Sequence, residues 1–227
     1  MIANGAALGL SWDQGGTHGV WADISHHQLR GKNVADNTTS RLMGGYYRRL
    51  INTPNELLTV GVGSMLWHYK KDLSEYTLGH GGYYSPQKYV SLSLPVNYAK
   101  RTVDWSYLLE GSVSLSASKT RDMAYYPEQN LIAGPWLELA GQGVSHADFM
   151  TNNSFKGGSS RSVGYSVRGL VERRLDNHWV LGAGLDWRYS EDYSPSRAML
   201  YVRYSFKSWQ GDLKLSPEPL TPYADFK

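Results

Sequence analysis

The last strongly patterned segment of the chain, residues 197–206, alternates strictly between apolar and polar side chains. Every second position is apolar or aromatic: Ala198, Leu200, Val202, Tyr204 and Phe206. Arg197 and Arg203 are among the residues between them. Because successive side chains of a strand point to opposite faces, the pattern predicts one apolar and one charged face. A strand of this kind that closes on an aromatic residue is typical of the last strand of an outer-membrane β-barrel.

The same period of two recurs upstream and predicts eight further strands. The nine predicted strands are 4–12, 18–29, 39–50, 57–69, 88–99, 104–118, 161–173, 178–190 and 196–206. No window approaches the roughly 18 continuous apolar residues that a membrane helix needs. We therefore predict an all-β fold over residues 1–206, namely the C-terminal portion of a transmembrane antiparallel outer-membrane β-barrel.

Composition agrees with a barrel that has a wet interior rather than a solid core. Hydrophobic residues make up only 41% of the chain, yet 17 Tyr and 8 Trp are present, which suit membrane interfaces. Cysteine is absent, which excludes disulfides and thiolate metal sites and fits an oxidising compartment. The net charge of +3 is too small and too dispersed to indicate nucleic-acid binding.

Loop lengths predict the orientation. Short turns are expected at 13–16, 52–55, 100–103 and 174–177, and longer loops at 30–37, 70–87, 119–160 and 191–195. Outer-membrane barrels keep short turns in the periplasm and long loops outside, so the last strand should end on the periplasmic side. The first predicted strand then starts outside, whereas single-chain barrels have an even strand count with both termini in the periplasm. We therefore expect these strands to be part of a larger barrel.

Several motifs resemble the C-terminal domain of cellulose synthase operon protein C. They occupy residues 8–16, 19–21, 28–33, 67–69, 211–213 and 219–223, and the most specific is Gly79-His-Gly-Gly-Tyr-Tyr-Ser-Pro-Gln87. The resemblance covers essentially the whole chain. It implies a barrel in the bacterial outer membrane that exports a β-glucan such as cellulose. It also implies four partners: the glucan, outer-membrane lipid, periplasmic tetratricopeptide repeats upstream in the same polypeptide, and the cellulose synthase complex.

Export of a neutral, hydroxyl-rich polymer requires weak, repeated contacts in the lumen, because a tight site would stall transport. Alternation turns serines inward, and the candidate polysaccharide contacts are inward aromatic or cationic side chains: Trp21, Tyr47, Tyr89, Tyr201 and Arg203. Inward charges should also include Glu172 with Arg168 and Asp186 with Arg188, because a cation on the lipid face costs about 2–4 kcal/mol at the midplane. The alternative for all of them is a role in filling and bracing the lumen.

The two longest predicted loops, 70–87 and 119–160, are candidates for a gate over the pore. The alternative is that they are solvated surface loops. The gate candidates are Tyr76, His80, Tyr83, Tyr84 and Trp136.

Phe206 is the predicted assembly signal. Residues 207–227 form a Pro-rich tail that should be extended, because proline removes backbone donors. The tail is either a solvated trailer or an insert that returns to the barrel mouth.

Two other function classes stay open, an adhesive or structural barrel and an outer-membrane enzyme. An enzyme would need a localised Ser/His or Asp/His constellation, but the chain lacks a Gly-x-Ser-x-Gly motif and its seven histidines are scattered. His26 and His27 point to opposite faces of one strand, so they are not adjacent ligands of one metal. The sequence therefore predicts no catalytic residue, no metal and no cofactor.

Overall fold

The structure is a computed structural model that describes residues 1–128, 141–143, 154–189 and 194–219. Within these ranges it contains eleven strands: β1 Ile2–Trp12, β2 His18–Gly31, β3 Val34–Thr53, β4 Glu56–Tyr69, β5 Lys88–Arg101, β6 Trp105–Lys119, β7 Met123–Ala124, β8 Ser154–Phe155, β9 Ser159–Arg174, β10 Trp179–Tyr189 and β11 Ser196–Tyr204. No helix in the same ranges combines the length and the apolar character that crossing a membrane requires.

Nine of the strands form one antiparallel sheet, in the order β1-β2-β3-β4-β5-β6-β9-β10-β11. β7 and β8 pair separately with each other. The predicted all-β, antiparallel, nine-stranded architecture is therefore confirmed. Among the described residues β1 pairs only with β2 and β11 only with β10, so the sheet has two open edges. Closure into a barrel and insertion into a membrane stay predictions.

Successive strands run in opposite directions, which gives the sheet two different ends. The end that we call the turn end carries the short connections 13–17, 54–55, 102–104 and 175–178 and the start of the tail. The opposite end, called the loop end, carries the 70–87 loop and the described part of the connection between β6 and β9, which includes β7 and β8. This distribution matches the predicted alternation of loop lengths, with one exception.

The exception is the connection between β2 and β3, where the predicted long loop 30–37 is wrong. Gly31 pairs with Val34, so only Lys32 and Asn33 form the turn. Asn33 has φ 59°, in the left-handed region that asparagine tolerates better than most residues. The polar residues that follow, which read as loop, belong to β3. The physical reason is that β2 and β3 continue beyond the part of the sheet that carries exposed apolar side chains. Polar side chains are no longer disfavoured there.

Cross-strand register collects apolar side chains on one side of the sheet, which we call the apolar face. One row runs in register through β1 to β6: Leu8, Ile24, Leu42, Leu66, Val90 and Ala117. Leu8 is 59% exposed and Leu42 is 45% exposed, although both lie well inside long strands. An exposed and contiguous apolar surface of this kind marks a contact with a membrane or with another protein.

The opposite side, called the polar face, carries serines and charged residues over most of its length. Near the turn end it also holds a small apolar cluster, formed by Leu57, Ala99, Leu108, Leu170 and Met199. Ala99 and Leu170 are almost fully buried there. Leu215 of the tail packs on this cluster, so a small apolar core lies between the sheet and the tail.

Candidate functional site

The centre of the polar face forms a continuous groove across β5, β6, β9 and β10. One recess of about 380 Å³ is lined by Asn97, Glu110, Arg168 and Asp186, among others. A second recess of about 340 Å³ includes Ser114 and Tyr189. The two recesses share three side chains: Ser112, Ser166 and Arg188. The groove therefore presents many hydrogen-bonding groups.

Ion pairs cross this groove. Arg168 Nη1 lies 3.3 Å from Glu110 Oε2, and Asn97 Nδ2 donates to Glu110 Oε1 over 3.1 Å. Asp186 accepts two hydrogen bonds of 2.9 Å from Arg188, as the sequence predicts. The predicted pairing of Arg168 with Glu172 is wrong, because strand register sets Arg168 opposite Glu110. The carboxylates are thus paired with cations within the face.

Glu172 pairs instead with two of the predicted polysaccharide contacts. Tyr201 donates its hydroxyl to Glu172 Oε1 over 2.7 Å, and Arg203 Nη2 lies 2.9 Å from Oε2. Glu172 is only 1% exposed. Tyr201 and Arg203 therefore lie on the polar face as predicted, but their polar atoms are occupied by a buried carboxylate. This arrangement is what a bracing role requires.

Trp21 and Tyr47 also lie on the polar face, at the turn end of β2 and β3. Like Tyr201, each faces a glycine across the strand register: Trp21 opposite Gly45, Tyr47 opposite Gly19, and Tyr201 opposite Gly182. A Cβ atom at Gly182 would collide with the Tyr201 ring. These aromatic rings consequently lie over the backbone of the neighbouring strand.

A carboxylate in the β1–β2 turn fixes the Tyr47 ring. Asp13 accepts hydrogen bonds from Arg49, from the Tyr47 hydroxyl and from the backbone N–H of Gly15. The bonds from Arg49, followed by those from Tyr47 and Gly15, hold the pKa of Asp13 below its usual value. The Arg49 guanidinium also lies over the Tyr47 ring, 5.3 Å from its centroid. This corner of the sheet is therefore tied together by one charged network.

Tyr89, the remaining predicted aromatic contact, belongs to a cluster of rings at the loop end. The ring centroids of Trp67 and Tyr89 are 6.3 Å apart, those of Trp67 and Tyr69 are 5.0 Å apart, and those of Tyr84 and Tyr89 are 6.3 Å apart. Tyr83 lies 5.8 Å from Tyr69. These five residues, the aromatic cluster below, are joined by tilted and edge-on ring contacts at the loop end of the polar face.

The 70–87 loop folds over the polar face at this end. The hydroxyl oxygen of Tyr83 accepts a hydrogen bond from Asn37 Nδ2 over 3.0 Å, and Asn37 Nδ2 also donates to the carbonyl oxygen of Lys71. Leu73 and Ser85 are fully buried inside the loop, and burial raises the pKa of the Tyr83 hydroxyl. The described 70–87 loop is therefore packed, and it is not a solvated surface loop.

The gate candidates lie in different environments. His80 is buried, with Nε2 3.1 Å from the carbonyl oxygen of Ala124 and its ring edge-on to Phe155, so it joins the loop to β7 and β8. Tyr76 is 90% exposed, and Tyr84 is half exposed. Trp136 lies outside the described residues. Of the candidates, Tyr83 and Tyr84 belong to the aromatic cluster.

The tail returns to the polar face at the turn end. Leu213 is fully buried, and its carbonyl oxygen accepts a hydrogen bond of 3.0 Å from Arg101. Ser106 donates to the carbonyl oxygen of Lys214 over 2.7 Å, and the Arg174 guanidinium stacks 4.7 Å from the Trp209 ring centroid. These contacts describe residues 207–219; the remaining predicted tail residues lie outside the described ranges.

Sequence reasoning missed several residues that organise these sites. They are Asp13, Asn37, Trp67, Tyr69, Arg101 and Ser106. Asp13 carries a local signal, since an Asp-x-Gly turn favours an Asx hydrogen bond. Asn37 and Ser106 carry none, because their partners are more than thirty residues away in sequence. In the described ranges no group of three or more His, Asp or Glu side chains could hold a metal ion.

Comparison with known proteins gives one consistent family. A family model described as the cellulose synthase operon protein C C-terminus matches residues 1–207. Cellulose synthase operon protein C of Salmonella typhimurium is 50% identical over 99% of the chain, and the Escherichia coli protein of that name is 48% identical over 99%. The Pseudomonas fluorescens protein of that name is 31% identical over 98%. The chain spans 18% of the Salmonella and Escherichia relatives and 16% of the Pseudomonas one. This chain therefore belongs to the cellulose synthase operon protein C C-terminus family.

Proposed function

We propose that the polar face lines a channel in the bacterial outer membrane through which a β-glucan, most simply cellulose, leaves the periplasm. The family connects the chain to the cellulose synthase operon and so to cellulose synthesis and secretion. The observation that carries the proposal is the opposite character of the two faces of one sheet. Exposed aliphatic side chains cover one face, while hydroxyls and neutralised ion pairs line a groove on the other.

Each part of the polar face has a place in this proposal. The serine-rich groove supplies weak hydrogen bonds to sugar hydroxyls, and aromatic rings offer flat apolar surfaces to the sugar C–H groups. Trp21, Tyr47, Tyr89 and Tyr201 are proposed to contact the glucan through their rings, and Arg203 is proposed to brace this part of the face through Glu172. The aromatic cluster and the 70–87 loop form the gate at the loop end, and the tail narrows the entrance at the turn end.

The proposal assigns transport and no catalysis, metal or cofactor. Its partners are the glucan, outer-membrane lipid, upstream tetratricopeptide repeats of the same polypeptide and the cellulose synthase complex. The loop end would face the cell exterior and the turn end the periplasm, since short turns are periplasmic in such barrels.

The direct test is single-channel conductance of the full-length protein in planar bilayers, with and without cellohexaose. We expect cellohexaose to block the current. Tyr89→Ala, in the aromatic cluster, should weaken the block about threefold to tenfold, since one stacked ring contributes on the order of 1 kcal/mol. Tyr46→Ala is the matched control, because Tyr46 is exposed on the apolar face, in register with Val20 and Val62.

A protein that inserts but conducts no ions would favour the adhesive or structural barrel. A current that cellohexaose leaves unchanged would contradict a glucan channel. If both tyrosine variants reduced the block equally, the aromatic cluster would lose its assigned role.

A further inference from the structure

A groove of about 550 Å³ crosses β3 to β6 on the apolar face, close to the loop end. Two rows of side chains border it. The row nearer the middle of the sheet is apolar and consists of Leu42, Leu66, Val90 and Ala117. The row two residues nearer the loop end is polar and consists of Ser40, His68, Lys88 and Lys119. Residues two apart on a strand share a face, so both rows belong to the apolar face.

The groove is concave because small side chains interrupt each row. Ala117 lies in register between Val90 and Arg161, and Ser40 lies in register between His26 and His68. The residues between the two rows, including Trp67 and Tyr89, point to the polar face by strand alternation and contribute their backbone to the floor. The groove therefore has an apolar floor and a polar rim.

The rim concentrates positive charge. Lys88 and Lys119 are directly opposite each other on β5 and β6, and Arg161 on β9 is opposite Ala117. All three are exposed, and none of them forms an ion pair with a described carboxylate. Two other cations at this end are paired: Arg30 lies 3.6 Å from Asp36, and Lys156 lies 3.0 Å from Asp122. Opposed like charges destabilise a sheet, so a bound anion between the lysines would relieve repulsion.

We propose that this groove binds a lipid that carries both acyl chains and a phosphate group. An acyl chain lies along Leu42, Leu66 and Ala117, and the phosphate lies between Lys88 and Lys119. Arg161 is near enough in register to contribute a further donor. The inference rests on the proposed function only in that the apolar face must meet a membrane. It adds a specific lipid site to what would otherwise be a uniform hydrophobic surface.

The combination of groove and charges favours a lipid over a free anion. Exposed lysines alone bind phosphate weakly, because water and salt screen the interaction. Acyl chains add affinity in proportion to the apolar area that they cover. The two rows lie next to each other, so a single amphiphile can contact both.

The test is native mass spectrometry of the full-length protein in nonionic detergent with added lipid A, a diphosphorylated and multiply acylated disaccharide. We expect one lipid A to stay bound at low micromolar concentration. The double variant Lys88→Gln/Lys119→Gln should weaken this binding at least tenfold. Lys100→Gln/Lys207→Gln removes the same charge at the turn end and should bind lipid A as the wild type does.

Three further arms separate a lipid site from an anion site. Ala117→Phe fills the apolar floor without changing charge and should also weaken lipid A binding, whereas dephosphorylated lipid A should bind the wild type poorly. Millimolar inorganic phosphate should not displace lipid A. Displacement by phosphate, or unchanged binding in Lys88→Gln/Lys119→Gln, would overturn the proposal. Assembly of each variant is checked by heat-modifiable migration on a gel.

These outcomes are independent of glucan export. A variant that loses lipid A but still shows cellohexaose block leaves the channel function intact. A wild-type protein that binds lipid A but never conducts keeps the lipid site and loses the channel.

Discussion

At the scale of single residues, Asp13 fixes the corner where the β1–β2 turn meets β3. Its pKa is lowered in the folded protein, first by the hydrogen bond from Arg49 and then by that from Tyr47. A carboxyl group with a lowered folded pKa stabilises the fold above its unfolded pKa, about 3.9, and loses that effect as the pH falls through the folded pKa.

We therefore expect Asp13→Asn to lower the resistance of the full-length protein to urea at pH 7. The difference from wild type should shrink as the pH falls below about 4, because the carboxyl of the unfolded wild-type chain then takes up a proton while the folded carboxyl stays charged until a lower pH. Urea titrations at several pH values, followed by tryptophan fluorescence, measure it. Asp36→Asn is the control, since Asp36 and Arg30 are both about two-thirds exposed and should contribute little. A difference that grows as the pH falls would contradict the assignment.

Glu172 gives a second prediction at this scale. It is buried and holds both Tyr201 and Arg203. Glu172→Gln should reduce the free energy of unfolding by about 1–3 kcal/mol, the usual effect of losing hydrogen bonds to a charged group. Glu110→Gln is the matched control, because Glu110 and Arg168 are more than a third exposed, and it should cost less than about 1 kcal/mol. Equal losses in urea titrations would mean that burial does not distinguish the two pairs.

Phe206 gives a third prediction at the scale of single residues. It lies just beyond β11, is 91% exposed, and its ring centroid is 5.2 Å from that of Tyr204. Phe206→Asp should lower the amount of full-length protein in the outer membrane, because a charge replaces an aromatic anchor at the interface. Phe206→Tyr keeps the ring and should assemble normally. Unchanged levels of the aspartate variant in membrane fractions would remove the predicted role of Phe206 in assembly.

At the scale of elements, the tail has the most specific consequence. Its buried Leu213 and its hydrogen bonds to Arg101 and Ser106 hold it against the polar face at the turn end. Ending the full-length protein at Ser208 should raise single-channel conductance, because the segment no longer narrows the entrance. Ending it at Pro219 keeps every described tail contact and is the control. Equal conductance of both truncations in planar bilayers would mean that the tail is solvated and lies outside the pore.

At the scale of the whole molecule, the open edges of the sheet limit what residues 1–227 can do alone. β1 and β11 each present an unpaired edge in the described residues, and open edges are not tolerated in lipid. We expect the 227-residue chain, refolded into detergent, not to form a closed monomeric barrel. A protease-resistant, heat-modifiable monomer on gels would contradict this. The full-length protein, treated in the same way, is the positive control.

The sequence by itself determined the strands and their faces. Alternation with a period of two is a local property, because each backbone step turns the next side chain to the other face. It therefore predicted nine strands, and it placed Trp21, Tyr47, Tyr89, Tyr201 and Arg203 on the polar face. The same pattern led to the wrong prediction of a loop at residues 30–37. The residues after Asn33 continue β3 beyond the exposed apolar side chains, and polar and apolar side chains no longer alternate there.

Only the tertiary structure decided which side chains meet. Arg168 could face several carboxylates by alternation, and the register of β6 with β9 selected Glu110. Asn37 reaches the 70–87 loop, and Ser106 reaches the tail more than a hundred residues away. Lys88 and Lys119 are separated by a complete hairpin, yet register sets them opposite each other. Such pairings depend on the relative positions of distant segments, which local patterns do not encode because the same alternation permits many registers.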